Sequence, residues 1–235
     1  MNKFPITAVH QVEMTSRCNL RCRYCPSPNL PRAKMDMTEE TWNQVLYWAR
    51  LYVRSGTQVE LNLAGIGEST MHPRFVEWAM QARTTLGDKV ALTMATNGLL
   101  ITEEMAAALV PARPLIWVSM HRPEKAGPAI EILKKYRLLA GVSADPSLSA
   151  INWAGQVKWF VSAPRRTCQW VINGKVFVMA DGRVSSCCLD ADGSGVLGTV
   201  WQDLSKLSTK PYKLCHTCDQ DVGVPLEVEE EGAVA

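Results

Sequence analysis

The sequence predicts an α/β protein: parallel strands with helices outside them, curled into an open, truncated TIM-like barrel. A small β-hairpin and helix appendage follows. Three observations carry this. Segments of alternating apolar residues are each followed by a segment with helical spacing, four times over. A right-handed crossover at each step curls such a sheet towards a barrel. Only about 140 of the 235 residues serve these units, against roughly 250 in a complete eight-fold barrel. Beyond about residue 150 the texture changes to short apolar runs punctuated by Asn173-Gly174 and Asp181-Gly182, the signature of an antiparallel meander. The expected boundaries are 1–150 for the barrel core, 151–221 for the second region and 222–235 for an acidic tail without periodicity.

Residues 1–7 read as a lead-in. Ala8 to Met14 reads as the first strand, with Val9 and Val12 its apolar members and Thr15-Ser16 its end. Pro26, Pro28 and Pro31 forbid regular structure in the loop that follows. Thr38 caps the first helix, and Glu39 and Glu40 complement its dipole. Trp42, Val45, Leu46, Ala49 and Tyr52 keep helical spacing, with Trp42 and Trp48 as packing residues, until Gly56. Gln58 to Leu63 alternates as a second strand, with Val59, Leu61 and Leu63 on one side. After Pro73 comes a helix with Phe75, Val76, Ala79 and Met80 inward. Lys89 to Ala95 is the third strand, closed by Thr96-Asn97-Gly98. Thr102 caps the next helix, and Pro111 and Pro114 bracket a linker. Leu115 to Met120 is the fourth strand. Pro128 is expected to open a further helix, with Ile130, Leu133, Arg137 and Ala140 on one face and Gly141 at its end. Ile151 to Gly155 is an irregular junction, and Val157 to Val161 a last core strand.

At 47% apolar, 20% charged and a net charge of +2, the chain reads as an ordinary globular protein. Near-neutral charge gives no argument for nucleic acid or an anionic membrane. No apolar run is long enough to span a bilayer, and the start lacks a charged-then-apolar leader. Eight cysteines in a chain of this size fit reduced thiols at metal sites in the cytoplasm better than a disulfide framework. Arg17, Arg21, Arg23, Arg32 and Lys34 crowd one loop. They form either a solvated basic face or a landing site for an acidic electron donor or a phosphate-bearing substrate.

That loop contains Cys18, Cys22 and Cys25 within eight residues. Three thiolates this close can converge on one inorganic centre, but they leave the fourth corner of a zinc site or four-iron cluster open. Zinc with a distant fourth ligand such as His10 is the alternative. The spacing C-x3-C-x-aromatic-C after a strand, with Asn19-Leu20 between the first two cysteines, resembles the radical S-adenosylmethionine (SAM) superfamily. The resemblance implies that Cys18, Cys22 and Cys25 hold a 4Fe-4S cluster whose fourth iron is chelated by SAM. It implies reductive cleavage of SAM to a 5′-deoxyadenosyl radical, which abstracts hydrogen from substrate. It puts Tyr24 near the adenine. Gly65-Ile66-Gly67-Glu68-Ser69 is similar to the family's Gly-Gly-Glu-Pro motif, which holds the amino group of SAM; Ile66 and Ser69 depart from that pattern. Thr96, Asn97 and Ser119 match strand-end positions near SAM in the family. His121, at the carboxyl end of the fourth strand, is a candidate substrate contact on position alone.

Cys168, Cys187, Cys215 and Cys218 supply four further ligands, ending in C-x2-C. Spacing leaves zinc and an iron–sulfur cluster both open. The run Asp181-Gly182-Arg183-Val184-x-x-Cys187, then Leu197-Gly198-Thr199-Val200, then C-x2-C, resembles the shortened SPASM or "Twitch" appendage of radical SAM enzymes. The resemblance implies a second 4Fe-4S cluster, with Cys187 rather than Cys188 as ligand. It leaves three functions open. Oxidation of a small alcohol or sugar comes first, with the second cluster as electron acceptor; such an enzyme is an oxidoreductase. The others are rearrangement of a nucleotide or nucleic-acid base, an isomerase reaction, and modification of a peptide. A flavodoxin- or ferredoxin-type donor is the implied redox partner. A zinc-stapled binding module is the non-enzymatic alternative.

Overall fold

Parallel strands fed by helical crossovers organise the chain. The computed structural model describes residues 3–143, Trp153, Gln156, residues 168–216 and Cys218. The strand expected over 157–161, most of the 151–155 junction and the tail 222–235 lie outside the described residues. The strands are β1 (Phe4–Pro5), β2 (Ala8–Val12), β3 (Glu60–Asn62), β4 (Ala91–Thr96), β5 (Leu115–Ser119), β6 (Leu139–Ser143), β7 (Lys175–Val178), β8 (Arg183–Ser185), β9 (Val196–Thr199) and β10 (Ser208–Thr209). The helices are α1 (Glu39–Arg54), α2 (Phe75–Leu86), α3 (Glu103–Leu109), α4 (Pro123–Lys135) and α5 (Gln169–Ile172).

Among the described residues one eight-stranded sheet runs β6-β5-β4-β3-β2-β7-β8-β9. Every pairing from β6 to β7 is parallel; β7-β8 and β8-β9 are antiparallel. The chain is thus an α/β protein with a partial barrel and a hairpin region. That hairpin extends the barrel's own sheet, because β7 adds to the free edge of β2. The lead-in supplies β1, which pairs with β10.

One face of the sheet is dry. Val9, Val12, Leu61, Leu63, Leu92, Met94, Ile116 and Val118 are buried there against the helices. Burying such a side chain contributes roughly 1.5–3 kcal/mol. Thr38 and Thr102 cap α1 and α3 as expected, accepting from the Thr41 and Met105 amides. Trp42 of α1 stacks flat on Trp78 of α2 with centroids 5.1 Å apart, and its indole donates to Gln81. Trp48 of α1 donates to the Val200 carbonyl at 3.0 Å, which ties the helix to the C-terminal region.

Several expectations are corrected. Helix α4 begins at Pro123 and contains Pro128 as an interior residue. It stops at Lys135, and Gly141 lies inside β6, an extra parallel strand. The stop is a two-bond cap: Leu138 N–H donates to Leu133 and Arg137 N–H to Lys134. That geometry usually employs glycine; here Arg137 adopts it, with φ of 58°. Gln169 to Ile172 is helix, so Asn173-Gly174 terminates a turn of helix rather than forming a hairpin. Gly174 is obligatory there, since a Cβ would lie 1.9 Å from the Pro5 carbonyl oxygen. Asp181-Gly182 does form the hairpin between β7 and β8. Val59 is 63% exposed rather than paired with Leu61 and Leu63 in the core.

Candidate active site

Because β2 to β5 are parallel, the loops that leave them gather at one edge of the sheet. A cavity of about 500 Å³ opens there. Every residue expected at the first site lines it: Cys18, Cys22, Cys25, Tyr24, Gly65, Gly67, Glu68, Thr96, Asn97, Ser119 and His121. Leu20, Ser27, Ala64, Ile66, Ala95, Ser143 and Trp153 complete the wall. Ser143 escaped the sequence reading because the strand that carries it was read as helix.

Glu68 is the organiser of this edge. It is 4% exposed. Its Oε1 accepts from the Thr70 amide and hydroxyl and from the Thr96 hydroxyl at 3.2, 2.7 and 2.8 Å. Its Oε2 accepts from the Asn97 amide at 2.8 Å. Each carboxylate oxygen has about two acceptor directions; three donors share Oε1, and Oε2, with one, keeps a direction for a ligand. The Asn97 side chain reaches across to the cysteine loop and donates to Asn19 at 2.7 Å. Tyr24 and His121 are hydrogen-bonded through the hydroxyl and Nδ1 at 3.0 Å, and their rings stack with centroids 5.7 Å apart.

The glycine turn is explained by the protein's own chain. A Cβ at Gly67 would lie 2.2 Å from the Thr15 carbonyl oxygen, and one at Gly65 2.5 Å from the Glu13 side chain. The turn after β3 is pressed against the end of β2, and Glu68 N–H donates to the Arg17 carbonyl. Ligand approach is thus not what demands these two glycines.

Beneath the turn lies an ion pair the sequence reading missed. Glu13 is 0% exposed and Arg32 7%, with Nη1 to Oε2 at 2.8 Å and Nη2 to Oε1 at 2.8 Å. Glu13 also accepts from the amides of Ile66 and Ala180. Arg32 Nε donates to the Ala191 carbonyl. A two-pronged, fully hydrogen-bonded pair is the form in which buried charge is tolerated. The only available signal was a carboxylate between apolar Val12 and Met14. Arg17 is likewise engaged, donating to Asp36 through Nε at 2.9 Å. Arg17 and Arg32 therefore leave the expected basic face, while Arg21 and Lys34 remain exposed.

Burial pushes the Cys25 thiol up to about 11 and raises Cys18 as well. Metal binding must therefore expel protons. Backbone amides two residues on point at the sulfurs, Leu20 to Cys18 at 3.4 Å and Ser27 to Cys25 at 3.5 Å. Such donors favour thiolate. Among the described residues no three His, Cys, Asp or Glu side chains converge on a single-ion position. A four-iron cluster requires something looser, one thiolate per iron. Three thiols on the wall of a roomy cavity fit that group.

The cysteines of the second group are carried by elements around β7. Cys168 precedes α5, and Cys187 follows β8, which runs back along β7. The Cys187 thiol is raised well above its ordinary range, first by contact with Cys188 and then by burial. Cys168 is raised mainly by burial, with Cys187 adding to it. The Leu189 amide donates to Cys187 Sγ at 3.3 Å, repeating the pattern at Cys18 and Cys25. Cys215 lies in the turn Lys213–His216, where its amide donates to the Tyr212 carbonyl at 2.8 Å. Cys215 and Cys187 both act on the Tyr212 hydroxyl. Cys218 is half-buried just beyond.

A parallel partial barrel with a three-cysteine loop after its first long strand, and a glycine–acid turn after the next, defines a class: the SAM-binding iron–sulfur barrels. Residues 12–162 match the Radical SAM superfamily, and the chain belongs to it. A tungsten-containing aldehyde ferredoxin oxidoreductase cofactor-modifying protein of Pyrococcus furiosus is 29% identical over 147 residues, 62% of this chain and 39% of that protein. A GTP 3′,8-cyclase of Aquifex aeolicus is 32% identical over 125 residues, 50% of this chain and 37% of that protein. The chain thus spans about two fifths of the length of these curated relatives. Crystalline BtrN in complex with AdoMet and 2-DOIA superposes with a TM-score of 0.71 at 16% identity, covering 86% of this chain and 83% of that one. Tagged anSMEcpe with bound AdoMet gives 0.61 at 17% identity, covering 94% and 93%. At such identities the likeness is one of fold. No described helix is long and apolar enough to cross a membrane.

Proposed function

We propose that this protein is a two-cluster radical SAM oxidoreductase acting on a small hydroxylated substrate. The division at about residue 150 then separates the SAM core from the second-cluster region, 151–221. In the loaded enzyme, a 4Fe-4S cluster on Cys18, Cys22 and Cys25 supplies one-electron cleavage of SAM and hence a hydrogen-abstracting 5′-deoxyadenosyl radical. The chain's own residues position and shield. Glu68 Oε2, with its remaining acceptor direction, receives an ammonium group. Thr96, Asn97 and Ser119 offer polar contacts along the strand ends, and Tyr24 offers a ring face. His121 and Ser143 face the substrate, and Trp153 closes the wall against water.

One observation supports the substrate class: a single cavity of about 500 Å³ carries the thiols, the polar strand ends and His121 together. It suits a small polyhydroxylated molecule beside SAM. The likeness to BtrN in complex with AdoMet and 2-DOIA points the same way. Cys168, Cys187, Cys215 and Cys218 would hold the second cluster, which would supply an acceptor for the second electron. The amide aimed at Cys187 Sγ supports Cys187 over Cys188. Exposed Arg21 and Lys34 offer a docking point for an acidic flavodoxin- or ferredoxin-type donor, which would place the enzyme in the cytoplasm.

The test is deuterium transfer from C-deuterated small alcohols and sugars into 5′-deoxyadenosine, with a ketone as product. A second reading has its own support: identity to a GTP 3′,8-cyclase favours rearrangement of a nucleotide. Label moving from deuterated GTP, and none from the alcohols, would replace the first reading with the second. Label moving from a peptide would replace both.

A further inference from the structure

Tyr212 is the unexplained residue of the second cysteine group. Its hydroxyl is buried and has no hydrogen-bond partner among the described residues. Leaving a buried hydroxyl unpaired costs about 1–3 kcal/mol, so an acceptor is expected. The ring cannot turn away to find one. A Cβ at Gly195 would lie 2.5 Å from it, so the ring is seated flat on that glycine. The backbone is fixed as well, since the Tyr212 carbonyl accepts the Cys215 amide at 2.8 Å.

The groups that bear on the hydroxyl are Cys187, Asp190 and Cys215. Asp190 is already spent. It accepts from the Ser185 hydroxyl at 2.5 Å and from the amides of Gly193, Ser194 and Gly195 at 2.9 Å each. What remains is sulfur. Cys187 is near enough for its sulfur and the Tyr212 hydroxyl to interact as acceptor and donor, though the contact falls short of full hydrogen-bond geometry. A phenol, with an ordinary pKa of about 10, keeps its proton at working pH, so the group stays a donor.

We propose that the Tyr212 hydroxyl donates a hydrogen bond to the sulfur shell of the second iron–sulfur centre and raises its reduction potential. The inference rests on the two-cluster reading. A donor aimed at cluster sulfur stabilises the extra negative charge of the reduced state more than that of the oxidised state. Tyr212 is thus a positioning and tuning residue; it would make the second centre a better acceptor for the electron left on substrate.

The experiment is an EPR-monitored redox titration of the full, reconstituted chain and of Tyr212→Phe, with iron counted on each sample. In Tyr212→Phe the potential of the second centre should fall by roughly tenfold in the reduction equilibrium, about 59 mV for one electron. The first centre should not move, and an exchangeable-proton coupling at the second should disappear. Full iron content with an unmoved potential overturns the inference. If Tyr212→Phe loses the second centre's iron, fluorotyrosine at position 212 decides. Its more acidic hydroxyl should raise the potential, and an unmoved potential again overturns the inference. Wild-type protein with only about four irons per chain removes the two-cluster reading itself, and the inference with it.

Discussion

The two cysteine groups are built on opposite principles. The first occupies eight residues of one loop, and the surrounding fold only frames it. The second draws on the start of α5, the end of β8 and the turn at Lys213–His216, so its cysteines come together only once three separate elements have found their places. Close spacing makes the first site a property of the local chain. The second is a property of the sheet. The first should therefore answer mainly to change within its own loop, while the second should answer to change in any of the three elements that carry it.

The largest effect should come from Cys18, Cys22 and Cys25 replaced together by Ala. SAM cleavage should vanish while about half of the iron stays; loss of all iron would show that the centres are not independent. Next, Cys187→Ala should remove the second centre and leave SAM cleavage, whereas Cys188→Ala should keep both. Equal iron loss from the two variants would break the assigned register. Glu13→Gln should strand Arg32 and cost about 3–5 kcal/mol, read as a fall in unfolding midpoint; Arg32→Lys should cost less. A midpoint unchanged in Glu13→Gln would show that the two regions are not joined there.

The smallest effect concerns the seam between the regions. His10 of β2 meets Trp170 of α5 edge-on at 4.8 Å. Burial, then Lys175, lowers its pKa to about 4, against a small opposing pull from Glu60. Below its ordinary pKa of 6.5 the unfolded chain takes up a proton that the folded chain refuses. Stability should therefore drop as pH falls from 6.5 towards 4, by about 3 kcal/mol, and then level off. His10→Gln should flatten that slope in urea titrations at pH 7 and 4.5.

The first site was legible because strand ends, caps and cysteine spacing all lie in short stretches. Cys18 to Cys25, Glu68, Thr96-Asn97 and Ser119 needed only the order of strands to be brought together. Two kinds of feature were not legible. Strand β6 hid because Arg137 takes the left-handed cap position that glycine normally marks, and because the strand's side chains are largely exposed. Asn173-Gly174 misled because the same dipeptide ends a helix or turns a hairpin, and only Pro5 packed against Gly174 decides. Glu13, Arg32 and Tyr212 depend on partners far along the chain, which no local pattern announces.

Glu13 holds one more lesson. The chain is made from its amino end, so Glu13, Arg32 and Ile66 leave the ribosome long before Ala180 and Ala191. Until those late residues arrive, the carboxylate lacks the Ala180 amide and the guanidinium lacks the Ala191 carbonyl, and the floor under the glycine turn is unfinished. A polypeptide cut short before residue 180 would thus carry all three early cysteines without a properly seated pocket above them. The bolt that joins the early loop to the later strands is thus shot home only by Ala180 and Ala191, two backbone groups far along the chain.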